Sequence, residues 1–227
     1  MKSSKEEKVY KVFETISEGY DDANKRISLG MEQSWKKNLI NLFSEGESVL
    51  DVCCGTGDIS IALFNKGCKV TGLDFSPAML SVAKKKQAEG ITWLEGNAMS
   101  LPFEDNSFDG ASISFGLRNT PDYRQVLSEM KRVVKPGGSI ACLDSFVPEN
   151  GFIKFFYNIY FKGIMPHIGG HKEHKKEYDW LANSTEEFLR ASELEQLFID
   201  LGLKEAKVKK MMCGACCLHK GIKCNYH

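Results

Sequence analysis

The chain has 227 residues, enough for one domain with a sizeable core, and its 42% hydrophobic and 26% charged residues are a globular composition rather than a disordered or membrane-spanning one. Thirty basic residues balance thirty acidic ones, so the net charge of zero leaves no electrostatic footprint for nucleic acid. No apolar run of the secretory kind follows the opening MKSSKEEKVYKVF, so the eight cysteines are expected to be reduced thiols in a cytoplasmic protein.

Two helical patterns precede residue 45. Strand-like and helix-like segments then alternate, which predicts an α/β fold with a largely parallel sheet. SVLDVCC (48–54) is an apolar, β-branched run that stops at Gly55, and a helix over 58–65 follows, closed by Gly67. KVTGLD (69–74) is the second strand. SPAMLSVAKKKQAEG (76–90) reads as a capped helix, with Ser76 at the N-cap, Pro77 in the first turn and Gly90 just past the end. ITWLEG and FDGASISF supply the third and fourth strands. Residues 122–134 put Val126, Met130, Val133 and Val134 on one helical face, KPGG turns the chain, and SIACLD (139–144) makes the fifth strand. TEEFLRASELEQLFIDLG is one or two helices, and AKVKKMM and CGACCLHKG form a closing pair of strands.

GFIKFFYNIYFKGIMPHIGG (151–170) interrupts this alternation. Its aromatic part FIKFFYNIYF (152–161) is too short to span a bilayer, and Lys154 and Lys162 interrupt the segment. Its apolar residues recur on nearly every side, so a helix packed over the C-terminal edge of the sheet is expected rather than a plain amphipathic surface helix. Near the C-terminus, Cys213 and Cys216 would point to opposite faces of a strand and could not share a metal. Four-ligand sites usually supply a second, separated pair, so the cysteines read as small filler of a buried strand. His167, His171 and His174 are split by a glycine pair and read as part of a solvated, charged segment. No metal is expected.

The turn CCGTGD sets Gly55 and Gly57 between a strand and a helix, where the backbone approaches a ligand and the helix N-terminus offers free N–H groups. Asp74 ends the next strand, where an acid commonly holds two ribose hydroxyls. There is no GK[ST], which argues against a phosphate-binding NTPase loop, and Ser60 stands where a dinucleotide loop has its third glycine. Asp51 on the first strand, the glycine turn, Asp74, and Asn97 after the third strand together point to S-adenosylmethionine. Its methionine amine calls for an acid, its ribose for Asp74, and its adenine edge for donors such as Asn97 and Ala98.

The chain resembles the class I methyltransferases, specifically the demethylmenaquinone methyltransferases and related ubiquinone-pathway C-methyltransferases. FETISEGYDDANKRISLGMEQSWKK, with Tyr20, Asp21, Asn24, Ser28, Trp35 and Lys36, is similar to their N-terminal signature. DVCCGTGD, GNAMSLPFEDNSFD, FGLRN, KRVVKPGG and FYNIYFKGIMPHIGG follow in family order. Cys53 stands where the generic turn has another glycine, Asn183-Ser184 where the family tends to have Glu-Ser, and Gly214-Ala215 where it has Gly-Gly.

The resemblance implies a Rossmann-like fold with a seven-stranded, mostly parallel sheet, an antiparallel last strand, helices on both faces and an N-terminal helical lid. It implies one methyltransferase domain over 1–227: lid 1–45, cofactor-binding core 46–147, substrate insertion 148–184, and a closing helix and strands 185–227. Cofactor contacts are implied at Thr56, Asp74, Phe75, Asn97, Ala98 and Ser114. The acceptor would be an isoprenoid quinol, its tail running along the aromatic insertion near a membrane surface, and the activity conversion of demethylmenaquinol to menaquinol.

Such a reaction needs alignment of carbon, methyl and sulfur and an electron-rich ring, but no metal. Arg118, after the fourth strand, is expected to stabilise the forming phenolate, and Asn119 to orient a second oxygen or a proton-accepting water. On that view Arg118→Ala would cost turnover and leave stability almost unchanged. The alternative is an ion pair that ties the loop to Asp122 or Glu129. Tyr20 reads as a lid residue packing over the site or as a donor to the quinol. Other functions kept open are a paralogue methylating another hydroxylated aromatic, a nicotinamide oxidoreductase (disfavoured by Ser60 and Asn97), and a thiol-rich metal or redox module at the C-terminal cysteines.

Overall fold

The structure, a computed structural model, describes residues 4–87, 89–160 and 175–224. One seven-stranded sheet organises it, in the order β3-β2-β1-β4-β5-β7-β6. The strands are β1 (Ser48–Val52), β2 (Lys69–Asp74), β3 (Ile91–Glu95), β4 (Phe108–Ser114), β5 (Val134–Ser145), β6 (Leu203–Met211) and β7 (Cys216–Lys223). β1 to β5 pair in parallel, and β7 runs antiparallel to both neighbours. The reason is local: β6 and β7 are joined by the short turn Met212–Gly214, and only antiparallel strands accept so short a connection.

The chain winds outward from β1 through β2 to β3, then returns to lay β4 against the other side of β1. At such a reversal the loops beyond the carboxyl ends of the two central strands diverge and open a crevice. The glycine turn after β1 and the FGLRN turn after β4 both lie there.

Nine described α-helices surround the sheet: α1 (Ser4–Ile16), α2 (Tyr20–Ile27), α3 (Glu32–Ile40), α4 (Asp58–Asn65), α5 (Pro77–Lys86), α6 (Tyr123–Val133), α7 (Gly151–Asn158), α8 (Lys175–Glu186) and α9 (Ala191–Asp200). Leu39 of α3 and Ile59 and Leu63 of α4 pack with Val49 and Val70 on one face of the sheet. Val126, Met130 and Val133 of α6 and Leu194 and Phe198 of α9 fill the other with Leu50, Ile113 and Ile140. A third cluster joins Val9, Val12, Phe13 and Ile16 of α1 to Ala23, Met79 of α5 and Leu181 of α8. α1 and α2 thus sit on α5, beside the crevice.

The segments fall close to where the sequence puts them, with instructive exceptions. Three α-helices, not two, precede residue 45, because Leu29 and Gly30 adopt positive φ and break the second pattern. α5 stops at Lys86 rather than at Gly90: Gln87 is extended, and its carbonyl accepts the Trp93 indole N–H at 2.8 Å. KPGG does not stand outside the sheet. β5 begins at Val134, which pairs with Phe108, and a register shift between Phe108 and Gly110 absorbs the extra residues. Cys213 lies in the β6–β7 turn at φ 54° and not in a strand, whereas Cys216 and Cys217 are buried in β7. His167, His171, His174 and residues 161–170 of the aromatic segment lie outside the described residues.

His219 of β7 is buried against Phe146 and Phe198, with Nε2–H donating to the Ala191 carbonyl at 2.8 Å. Nδ1 has no partner among the described residues, and burial lowers the imidazole pKa from 6.5 to about 4. The folded ring stays neutral where the unfolded one takes a proton. Its contribution to stability is therefore whole above pH 6.5 and is lost as pH falls toward 4. The difference in unfolding free energy between wild type and His219→Leu should move against the wild type by about 3 kcal/mol from about pH 7 to about pH 4. Urea titrations at both pH values check this, and a constant difference would contradict it.

Candidate active site

The crevice holds a cavity of about 550 Å³, lined by Gly55, Thr56, Asp74, Phe75, Asn97, Ala98 and Ser114 among others. Asp74 lies at the end of β2 and is 5% exposed. Its carboxylate accepts the Gly55 N–H at 2.8 Å and the Ser76 N–H at 2.9 Å, which ties the glycine turn to the start of α5. Burial raises its pKa to about 6 against the pull of those N–H groups. Ser76 caps α5, as its sequence position suggests, accepting from the Met79 N–H. Asn97 Oδ1 accepts the Met99 N–H and shapes the turn after β3.

Two residues of the expected cofactor set do not line this cavity. Asp51 is fully buried behind it, accepting from the Ser60 hydroxyl at 2.7 Å and the Ser112 hydroxyl at 3.0 Å. That contact also explains Ser60: where a dinucleotide loop has a glycine, this chain needs a hydroxyl for a buried carboxyl. Gly57 serves the fold, since it has φ +84° and a Cβ there would stand 2.6 Å from the Trp93 ring. Cys53, where the generic turn has another glycine, takes the left-handed conformation itself, with φ 54°.

The N-terminal helices close one side of the cavity. The Thr56 hydroxyl donates to Asp21 of α2 at 2.5 Å. Lys86 pairs with Asp21 and with Asp58, Asp58 with Lys36 at 2.9 Å, and Lys36 with Glu32 at 3.5 Å. Glu14 of α1 accepts from the Ser76 hydroxyl at 2.9 Å and the Ala78 N–H at 3.2 Å, and Tyr10 and Phe13 meet Phe75 edge to face. Nothing in the sequence marks Glu14 as the partner of a helix that starts more than sixty residues later. Asp21, Asn24 and Lys36 all line the cavity and belong to the N-terminal signature, but the signature alone gives them no partner.

FGLRN forms a 3₁₀ turn, Leu117–Asn119, after Phe115 at φ 53°. Arg118 is 8% exposed, and its Nη1 donates to Asp144 Oδ1 at 2.5 Å and to the Phe115 carbonyl at 2.9 Å. Asp144 on β5 is fully buried. Neither carboxylate expected from the sequence is the partner: Asp122 caps α6, and Glu129 pairs with Arg132. A stability-neutral Arg118→Ala is therefore excluded, because it would strand the Asp144 charge in the core.

The buried Nε of Arg118 and Oδ1 of Asn119 have no hydrogen-bond partner among the described residues. Asn119 lines the main cavity, whereas Arg118 lines a second one of about 90 Å³. Tyr20, Asn24 and Phe115 line both, so the two spaces adjoin. Burial raises the Tyr20 pKa, which keeps its hydroxyl protonated. Among the described residues no group of three or more His, Cys, Asp or Glu side chains could hold a metal.

The chain was compared with known proteins. A demethylmenaquinone methyltransferase of Bacillus cereus (strain B4264) is 46% identical over 233 residues, covering 98% of each chain. One of Shouchella clausii (strain KSM-K16) is 45% identical over 234 residues, covering 98% of this chain and 99% of the relative. Among solved structures, a S-adenosylmethionine-dependent methyltransferase of Thermotoga maritima superposes with a TM-score of 0.69 at 21% identity, over 94% of this chain and 99% of that one. Another from Aquifex aeolicus gives 0.61 at 21% identity, over 83% and 89%. These two establish the class I fold. The family model described as the ubiE/COQ5 methyltransferase family matches residues 1–223, and the chain belongs to that family.

Proposed function

We propose that the protein methylates a ring carbon of demethylmenaquinol, giving menaquinol, with S-adenosylmethionine as donor. The observation that carries this reading is a pair of adjoining cavities, one walled by a glycine turn and Asp74 and the other by Arg118, in a chain that matches demethylmenaquinone methyltransferases end to end. The donor fits the larger space: a buried carboxylate, Asp74, opens on it among apolar walls from Leu73, Phe75, Met79 and Ala98. When bound, the donor supplies an electrophilic methyl group on a sulfonium.

Asp74 would hold the ribose, with Asn97 and Ala98 at the adenine edge and Gly55, Thr56, Phe75 and Ser114 completing the wall. The helices of residues 1–45 act as the lid. Arg118 would stabilise negative charge on the acceptor oxygen through its Nε–H, which has no partner among the described residues. Asn119 Oδ1, also unpartnered, would orient the acceptor from the main cavity, and Tyr20 would pack against the ring at the junction. No described helix is long and apolar enough to cross a membrane. α7 nevertheless exposes Phe152, Phe155 and Phe156, with Ile159 at its C-cap, spaced on one helical face, and that face supports contact with the surface that holds an isoprenoid acceptor.

Mass spectrometry of reduced short-tail demethylmenaquinol with S-adenosylmethionine should show one added methyl group, and the oxidised quinone, whose ring is electron-poor, should give none. Equal rates with both would contradict the mechanism. With a long-tail acceptor held in vesicles, Phe155→Ser/Phe156→Ser should slow turnover while leaving the short-tail rate unchanged, and equal slowing of both would remove the membrane role.

Asp74→Ala should weaken S-adenosylmethionine binding about ten- to hundredfold in calorimetry, the worth of about 1.5–3 kcal/mol for a charge-assisted hydrogen bond. Wild-type affinity should also fall below about pH 6, where Asp74 takes up a proton. An unchanged dissociation constant in the variant would move the ribose contact elsewhere.

Arg118→Ala should cost about 3–5 kcal/mol of stability, since it removes one partner of a buried pair. Arg118→Lys keeps a cation for Asp144 but loses the planar fork. It should stay folded, bind the donor normally and lose turnover by about 10–10², short of the 10²–10³ typical when an oxyanion donor is deleted. A lysine variant with full turnover would reduce Arg118 to a structural role.

A further inference from the structure

The smaller cavity contains one acid among its described lining residues, Glu32, and one cation, Arg118. Glu32 is the first residue of α3 and is 7% exposed. A helix N-terminus favours a carboxylate, but an exposed one serves that purpose without the cost of burial. Its ion pair is loose as well: Lys36 lies 3.5 Å from Glu32 but 2.9 Å from Asp58. The groups facing it are Lys36 on its own helix, Asp58 at the start of α4, Asp21 of α2, and Tyr20 and Arg118 across the cavity. Burial, with Asp58 and Asp21, raises its pKa, and Lys36 opposes them. The result is a more basic carboxylate than an exposed glutamate.

A volume of about 90 Å³ is the room of about three waters, the scale of one ring hydroxyl and the ring edge that bears it. The walls shared with the main cavity, Tyr20, Asn24 and Phe115, would carry the rest of the ring toward the methyl donor. We infer that Glu32 is the base that takes the acceptor hydroxyl's proton, with Arg118 holding the oxygen that is left. The inference rests on the methyltransferase reading above.

The step balances. The O–H bond breaks, its proton passing to a Glu32 oxygen and its electron pair remaining on the ring oxygen. The neighbouring ring carbon bonds to the methyl group, and the sulfur–methyl bond breaks with its pair going to sulfur. The methylated carbon then gives its proton to water, which restores the aromatic ring as a phenolate. That oxygen recovers the proton from Glu32, and one proton is released per methyl group transferred.

Glu32→Gln and Glu32→Asp test this, with two readouts. Trp35 lines the same cavity, so reduced short-tail demethylmenaquinol should quench its fluorescence, and Trp35→Phe should abolish that signal. Wild-type kcat should rise with pH through an acid limb as Glu32 ionises. Glu32→Gln should bind the quinol within about twofold by quenching, lose kcat by about 10²–10³ and lose the acid limb, whereas Glu32→Asp keeps the limb at a lower rate. Four results would overturn the inference: a wild-type kcat profile flat between about pH 5 and 8, a Glu32→Gln profile like the wild type's, a Glu32→Asp variant without the limb, or methylation without any Trp35 quenching. Should Glu32→Gln fail to fold, the wild-type and Glu32→Asp profiles still decide. Absence of product from the wild type with every reduced naphthoquinol would remove the functional reading and this inference together. Product with an unaltered Glu32→Gln profile removes this inference alone.

Discussion

Three aspartates, Asp51 on β1, Asp74 ending β2 and Asp144 near the end of β5, are buried toward the carboxyl ends of the parallel strands of one mixed sheet. A carboxylate taken out of water must find hydrogen-bond donors or a cation, or it takes up a proton. Each finds a different solution. Asp51 accepts from two hydroxyls, Asp74 from two backbone N–H groups, and Asp144 from a guanidinium. The partners of Asp51 lie in α4 and β4, whereas those of Asp74 and Asp144 lie on the turns that frame the crevice, so satisfying these two carboxylates also fixes those turns. The glycine turn sits where Asp74 holds it, and the FGLRN turn sits where Asp144 holds Arg118.

The N-terminal segment is held to the core by the same means at lower cost. Its ionic contacts, from Asp21 through Lys86 and Asp58 to Lys36, are partly exposed, and each contributes little alone. Together with Glu14 on the α5 N-terminus and the Phe13 and Phe75 rings, they seat α1 and α2 beside the cavity.

Much of this was legible in the sequence because it rests on local signals. The strand runs of β1, β2 and β3, the Ser76 cap and the glycine turn follow from composition and spacing within a few residues of each element. Asp51 and Gly57 show where such signals stop. Both stand in the expected pattern, yet one faces inward to Ser60 and Ser112 and the other is set by the Trp93 ring. Orientation at a strand end depends on neighbours from other strands. Asp144 was missed as the partner of Arg118 for the same reason. β4 and β5 are adjacent in the sheet, but the whole of α6 and most of β5 separate the two residues along the chain. Glu32 gave no signal, because an acid in a first helical turn is ordinary until its burial is known.

Gly116 and Cys53 share one small volume at the mouth of the crevice. A Cβ on Gly116 would stand 2.5 Å from the Cys53 Cβ, in a turn where Cys53 already occupies left-handed backbone. The side chain that replaces the generic glycine after β1 is therefore accommodated by a glycine after β4. The two loops behave as a lock with one tumbler: size can sit on either side of the seam, but not on both. Glycine at 53 would relax its own backbone and leave a gap beneath the arginine turn, whereas any side chain at 116 would push that turn away from the sheet and take Arg118 with it. The turn that carries Arg118 is thus seated against a residue that also lines the main cavity.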